Sequence, residues 1–243
     1  MPRSSQAAPT PGDWQADPVA VLGVDGWRGA WVGALLEGRG VRLLALADVA
    51  TVLAVPDVDV VAIDMPIGLS EDGVRACDVG ARQLLEATGA ASSVFPSPVR
   101  AVLDARDHAH ARELSRAATG GVRAPSAQTF VLVAAIRALD DGLGTPPTDR
   151  VVEVHPELTF RCGLGGVTDR TGTARGTVQR LAALRAVMDV EDALADAPVG
   201  VPVVDALDAC AAAWPGRRLA EGRAGCVGDG TTDTRGRPMR ICW

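Results

Sequence analysis

The chain alternates between short unbroken apolar runs and stretches rich in charge, glycine and proline. The run that organises the rest is Val60-Val61-Ala62-Ile63-Asp64, stopped by Pro66 and Gly68. Four apolar residues without a polar break predict a strand buried on both faces, and so one inside a parallel sheet. Asp64 then falls at its carboxyl end, where open α/β sheets place their ligands. A second run, Val19 to Val24, also ends in an aspartate, Asp25. Gly26-Trp27-Arg28-Gly29 turns the chain into a returning strand over Ala30 to Leu36, and Glu37-Gly38-Arg39-Gly40 turns it into a third over Val41 to Leu46. Apolar runs joined by short glycine turns read as an antiparallel meander. A helix over 48–55, N-capped by Asp48, is expected to cross over to the Val58–Asp64 strand, placing it parallel to the first.

From about residue 70 to 148 the spacing is helical, which predicts a long insertion. It includes helices over Cys77–Thr88 and Ser126–Leu139, and a charged helical segment that carries His108 and His110 as surface residues. Between the first helix and that segment lies a proline-rich loop, Ser92 to Pro98, which packs Phe95. Val151 to His155 is the next strand, and its period of two puts Glu153 and His155 on one face. A polar loop, Thr168 to Gly176, precedes helices over Thr177–Leu194 and Val203–Trp214, the second stopped at Pro215-Gly216. The tail from Gly225 to Trp243 holds a turn and a short final strand. With neither repeat nor linker, 19–243 reads as a single domain; 1–18, which lacks the apolar core of a signal peptide, reads as a disordered tail.

Composition narrows the chemistry. A chain of 243 residues, 47% hydrophobic, can bury a full core. A net charge of −6 argues against a broad grip on nucleic-acid backbone, while allowing an acidic, metal-neutralised active site. All 24 basic residues are arginine, so no lysine serves as Schiff base, general base or phosphate-binding ammonium. Five cysteines without a C-x-x-C argue against a disulfide framework or a zinc site, and for a reducing cytoplasm. No apolar run approaches membrane-spanning length.

The candidate site follows from the strand ends. Adjacent strands lie about 4.8 Å apart, which brings the Asp25 and Asp64 carboxylates within reach of one shared ion. Asp205 and Asp208, three residues apart on the last long helix, share a face. Glu153, from the third parallel strand, has two readings: auxiliary ligand or base, or partner of a nearby arginine. Converging carboxylates without a basic partner repel one another unless a cation sits among them. Oxygen-only donors suit Mg²⁺ or Mn²⁺, and two such ions about 3.5–4 Å apart serve in-line phosphodiester hydrolysis. His155 reads either as a proton shuttle at the substrate or as a structural histidine ahead of Pro156. Arg28 either contacts the scissile phosphate or neutralises the cluster. Ser93 has no nucleophile elbow around it and is expected to orient substrate. Trp27 and Trp31 pack the hairpin, with base stacking as the rarer use.

Five segments in order carry a family resemblance: Gly23-Val-Asp-Gly-Trp-Arg-Gly-Ala-Trp31, Ala62-Ile-Asp-Met-Pro-Ile-Gly-Leu69, Ser92-Ser-Val-Phe-Pro-Ser-Pro-Val-Arg100, Glu153-Val-His-Pro-Glu157 and Asp205-Ala-Leu-Asp-Ala209. They resemble the bacterial family catalogued as domain of unknown function 429, whose members are described as predicted nucleases of the ribonuclease H-like superfamily. The strand around Asp64 and the helix with Asp205 and Asp208 are also similar to those of Holliday-junction resolvases of the RuvC type, with Asp64 in place of a glutamate. The resemblance covers most of the chain from residue 19. It implies a ribonuclease H-like five-stranded mixed sheet, with an antiparallel meander, parallel strands, flanking helices and a helical insertion. It also implies a divalent-metal nuclease acting on nucleic acid, with Asp25, Asp64, Glu153 and Asp208 catalytic. Family members usually carry lysines in the loop after Glu157. Here that loop has Arg170 and Arg175, which are expected to hold phosphate bidentately. Two rivals share such a core: a nucleotide-dependent phosphotransferase and a non-catalytic scaffold.

Overall fold

The computed structural model describes residues 19–144 and 148–243; the expected tail at 1–18 lies outside the described residues. All five apolar runs form strands: β1 (Ala20–Trp27), β2 (Ala30–Glu37), β3 (Gly40–Leu46), β4 (Val60–Ile63) and β5 (Val151–Glu153). They build one sheet in the order β3-β2-β1-β4-β5. The meander β1-β2-β3 is antiparallel, whereas β4 pairs parallel with both β1 and β5. Helix α1 (Val49–Leu53) makes the crossover, and the Asp48 carboxylate caps it by accepting from the Thr51 N–H at 2.7 Å.

Period-two alternation sorts the strand residues onto two faces. Val21, Ala62 and Val152 face one core, shared with the last long helix; Leu22, Val61, Ile63 and Val151 face the other, shared with the insertion. The insertion contributes α2 (Ala76–Glu86), α3 (His108–Ala118) and α4 (Ala127–Gly142) between β4 and β5. His108 is less superficial than its charged surroundings suggest: it stacks on Phe130 at 5.4 Å between ring centroids. In the proline-rich loop Val94 and Pro98 are buried, whereas Phe95 stays 44% exposed.

After β5 come a short helical turn, α5 (Pro156–Leu158), then α6 (Ala174–Arg185), α7 (Val190–Ala195) and α8 (Val203–Ala220). The single helix expected over Thr177–Leu194 is therefore two. The chain breaks where the Asp189 N–H donates to the Arg39 carbonyl at 2.8 Å, tying the break to the β2–β3 turn. Helix α8 also overrides its expected stop and runs through Pro215. Its packing explains this. A Cβ on Gly23 would lie 2.2 Å from the Ala209 carbonyl, and one on Gly216 would meet Val21 at 2.6 Å and Ala62 at 2.9 Å. Backbone pressed this closely onto the sheet gains contact along its whole length, which outweighs the cost of one proline. The same contacts fix its direction. Residues near 209 lie over Gly23 and residue 216 over Val21, so α8 runs antiparallel to β1 and its amino-terminal end stands at the carboxyl edge of the sheet.

The tail forms a small hairpin, β6 (Cys226–Val227) with β7 (Ile241–Cys242), and Cys242 also bridges in parallel to Val154 beside β5. Cys226 and Cys242 are register partners joined in a disulfide. One disulfide thus stands where the cysteine spacing argued against a disulfide framework. The two are brought together by antiparallel pairing across 16 positions of sequence, which linear spacing does not reveal. The case for a reducing compartment loses its premise accordingly. Among the described residues no helix is long and apolar enough to cross a membrane.

Candidate active site: a carboxylate cluster at the sheet edge

Register places the acids. Val24 is the partner of Ile63 in the β1–β4 pair, so Asp25 and Asp64 are the next step on neighbouring strands. The Asp64 N–H still donates to the Val24 carbonyl at 2.9 Å. Both aspartates continue the alternation that points Gly23 and Ala62 toward α8, so their carboxylates share that face. Asp208, one residue before the close contact at Ala209, comes down to them from the helix.

Asp64 disturbs Asp25, and both disturb Asp208. Burial pushes the Asp64 carboxyl up to about 7, with help from Glu153 and Glu157. Burial also lifts Asp25 well above the ordinary carboxylate range, and Asp64 adds to it. Asp208 is raised well by burial and by both of the others; Arg180 offsets only part. Asp205 stands at the margin of the group. Burial raises its carboxyl, and Arg28 opposes the shift.

Glu153 takes a different place. Its register partner is Ile63, so it points to the face opposite Asp64. There Arg75 grips both of its oxygens at 2.7 Å, and the Ile67 N–H donates to it at 2.7 Å. Of its two readings, the arginine partner is the one the structure displays. Arg75 also binds Asp78 at 2.5 Å, and Asp78 accepts from the Ser97 N–H at 2.9 Å. Neither Arg75 nor Asp78 carries a sequence signal that singles it out. Glu157, quoted above only as part of a motif, is likewise held by two cations: Arg161 donates to it at 2.7 Å and Arg180 on α6 pairs with its other oxygen.

A cleft of about 230 Å³ opens at this edge, lined by Asp25, Asp64, Glu153, Ser93 and His155 among others. The Ser93 hydroxyl donates to the Ala90 carbonyl at 2.8 Å and caps its own turn. His155 sits with Nε2 3.4 Å from the Ser93 carbonyl and with Nδ1 buried and unpartnered. Burial lowers its pKa below the ordinary imidazole value, so the ring is neutral at pH 7. Arg170 and Arg175 do not line the cleft; Arg175 is 82% exposed and leans on Asp169 at 3.5 Å. The arginines that reach the acids are Arg180 and Arg28.

Oxygen donors suit a hard divalent cation. Among the described residues, no three carboxylate, imidazole or thiol groups close around one point as a finished cage. What fits a cation is the charge: three neighbouring half-buried acids that, among the described side chains, only Arg180 offsets, and only in part.

One protein family matches this chain over residues 23–233, described as "Protein of unknown function (DUF429)". No curated protein matches the chain. No solved structure matches it either.

Proposed function

The chain belongs to the DUF429 family, and because that family's function is unknown we propose one from the site: divalent-metal-dependent hydrolysis of phosphodiesters, on a sheet of ribonuclease H-like topology. One observation carries the reading. Asp25, Asp64 and Asp208 converge at the carboxyl edge of parallel strands, each lifted in pKa by burial and by its neighbours. A soluble fold tolerates such charge where a cation is to be received. The strand order β3-β2-β1-β4-β5, with its antiparallel meander, supports the topology.

In this reading Asp25, Asp64 and Asp208 hold Mg²⁺ or Mn²⁺, with Asp205 at the outer side. The ion supplies charge for the leaving oxygen and a more acidic water. Everything else is done by the chain. Arg28, exposed beside Asp205, takes a non-bridging phosphate oxygen. Neutral His155, which lines the cleft and whose Nδ1 has no partner, accepts a proton from water. The Arg75–Glu153 pair keeps the floor of the cleft rigid and leaves the aspartates as the available anions.

The test is cleavage of single-stranded DNA, duplex, RNA–DNA hybrid and four-way junction, in Mn²⁺ and in EDTA, by wild type and Asp25→Asn. Cutting that needs metal and vanishes in the variant supports the hydrolase. ATP-induced thermal stabilisation without cutting supports a phosphotransferase, and neither metal binding nor cutting leaves a scaffold.

A further inference from the structure

Beside the carboxylate cleft lies a second groove, of about 430 Å³, between the β1–β2 turn and α4. The two share Gly26, Met65 and Leu132, so they are continuous. Their character differs. Trp31, Val49 and Met65 form a buried apolar floor. The outer wall is the open face of α4, where Val131 is 77% and Leu132 38% exposed. An apolar wall left in water beside an acidic cleft marks a binding surface better than a packing one.

Two charged residues border this groove. Asp48 is committed to capping α1. Arg28 is exposed and held in the left-handed region, φ 48°, where a residue with a Cβ is strained. It also lies close enough to Asp205 to oppose the rise in that carboxyl's pKa, so it stands between groove and cluster. A ligand that fits both compartments has a flat apolar part joined to an anionic part.

We infer that the groove seats a nucleobase of a nucleotide chain, with the phosphate beside that base presented to Arg28 and the carboxylates. This rests on the phosphodiesterase reading and adds the substrate class: strands whose bases are free to leave the stack. A base in a duplex must first be unpaired and unstacked to enter, so single strands bind better.

The test is binding in EDTA by the Asp25→Asn/Asp64→Asn protein, which neither cuts nor repels phosphate through those two acids. Two fluorescently labelled oligodeoxynucleotides are compared by anisotropy, one intact and one with abasic tetrahydrofuran residues throughout. Stacking on an apolar platform predicts that the abasic strand binds about tenfold more weakly or worse. Ala134 lies on the exposed face of α4 and lines the groove, so Ala134→Phe fills it without adding charge. That variant should bring the intact strand down to the abasic level and leave the abasic strand unchanged. Leu132→Gln should do the same from the wall, again without adding charge, guarding against a misplaced phenylalanine. Equal binding of the two strands, no binding of either, or a loss that both strands share in Ala134→Phe overturns the seat. Mn²⁺-dependent cleavage by wild type separates the two ideas. Cutting without base preference removes the seat and keeps the hydrolase; base-dependent binding without cutting does the reverse.

Discussion

The two faces of this sheet end in carboxylates, and they treat them in opposite ways. On the insertion face, Glu153 and Asp78 are buried with Arg75, which is 2% exposed and saturates them with bonds of 2.5 to 2.7 Å. On the α8 face, Asp25, Asp64 and Asp208 are crowded together, and among the described side chains only Arg180 offsets any of them, in part. The acids are of the same kind, half-buried on the α8 face and fully buried on the other. What separates a structural network from a site is a single guanidinium. A buried charge whose partner is built in has nothing left to bind, whereas one whose partner is missing is held ready for something that arrives.

The largest effect should come from breaking the compensated side. Arg75→Met leaves two buried carboxylates unpaired, and removing one partner of such a pair costs about 3–5 kcal/mol. Urea unfolding of wild type and variant measures this. A loss below about 1 kcal/mol would mean that the network is wetter than its geometry implies, and the contrast between the faces would collapse.

Next is the uncompensated side. Adding Mn²⁺ at a hundred times its dissociation constant should stabilise wild type by about 2.7 kcal/mol, visible as a rise in Tm. Asp25→Asn/Asp64→Asn should be more stable than wild type in EDTA and should ignore the metal. A less stable double variant, with a wild type that ignores Mn²⁺, would make these aspartates structural after all.

A third effect is a slope. The folded carboxyl of Asp64 titrates at about 7, against about 3.9 when unfolded. Between those values the native state binds more protons, so stability falls as pH rises, by at most about 1.4 kcal/mol per pH unit for one proton. Urea midpoints at pH 5, 6 and 7 in EDTA should show this decline, and Asp64→Asn should flatten it. A wild type that gains stability over this range would contradict it.

Much of this was legible in the chain. The apolar runs ending at Asp25 and Asp64 gave strands, parallel order and the sheet edge, because burial on both faces leaves a pattern that sequence carries openly. Asp205 and Asp208 were placed by helical spacing. Partners were not legible. Arg75 follows an ordinary loop, yet it decides the fate of Glu153, some 78 positions away. The same is true of Arg180 with Glu157 and of the two paired cysteines. Alternation did predict that Glu153 and His155 share a face, but only the register of β4 and β5 shows that this face is not the one Asp64 uses. The continuation of α8 through Pro215 was hidden for a related reason, since local propensity says nothing of how closely Gly23 and Gly216 let helix and sheet approach.

The smallest effect belongs to His155, which lies at the border of the two regions. Burial depresses its pKa, so below the unfolded value of about 6.5 the unfolded chain binds the extra proton. Its contribution to stability is therefore lost as pH falls, opposite in sign to that of Asp64. Just below about pH 6.5 the two partly cancel. His155→Gln should consequently steepen the decline of stability with rising pH, even if it lowers stability overall by orphaning the Ser93 carbonyl. The change in slope is the informative quantity, because a merely structural loss would shift all midpoints alike. An unchanged slope would mean that burial does not depress the ring's pKa in the folded protein, and the neutral ring that the mechanism uses as a base at pH 7 would lose its support.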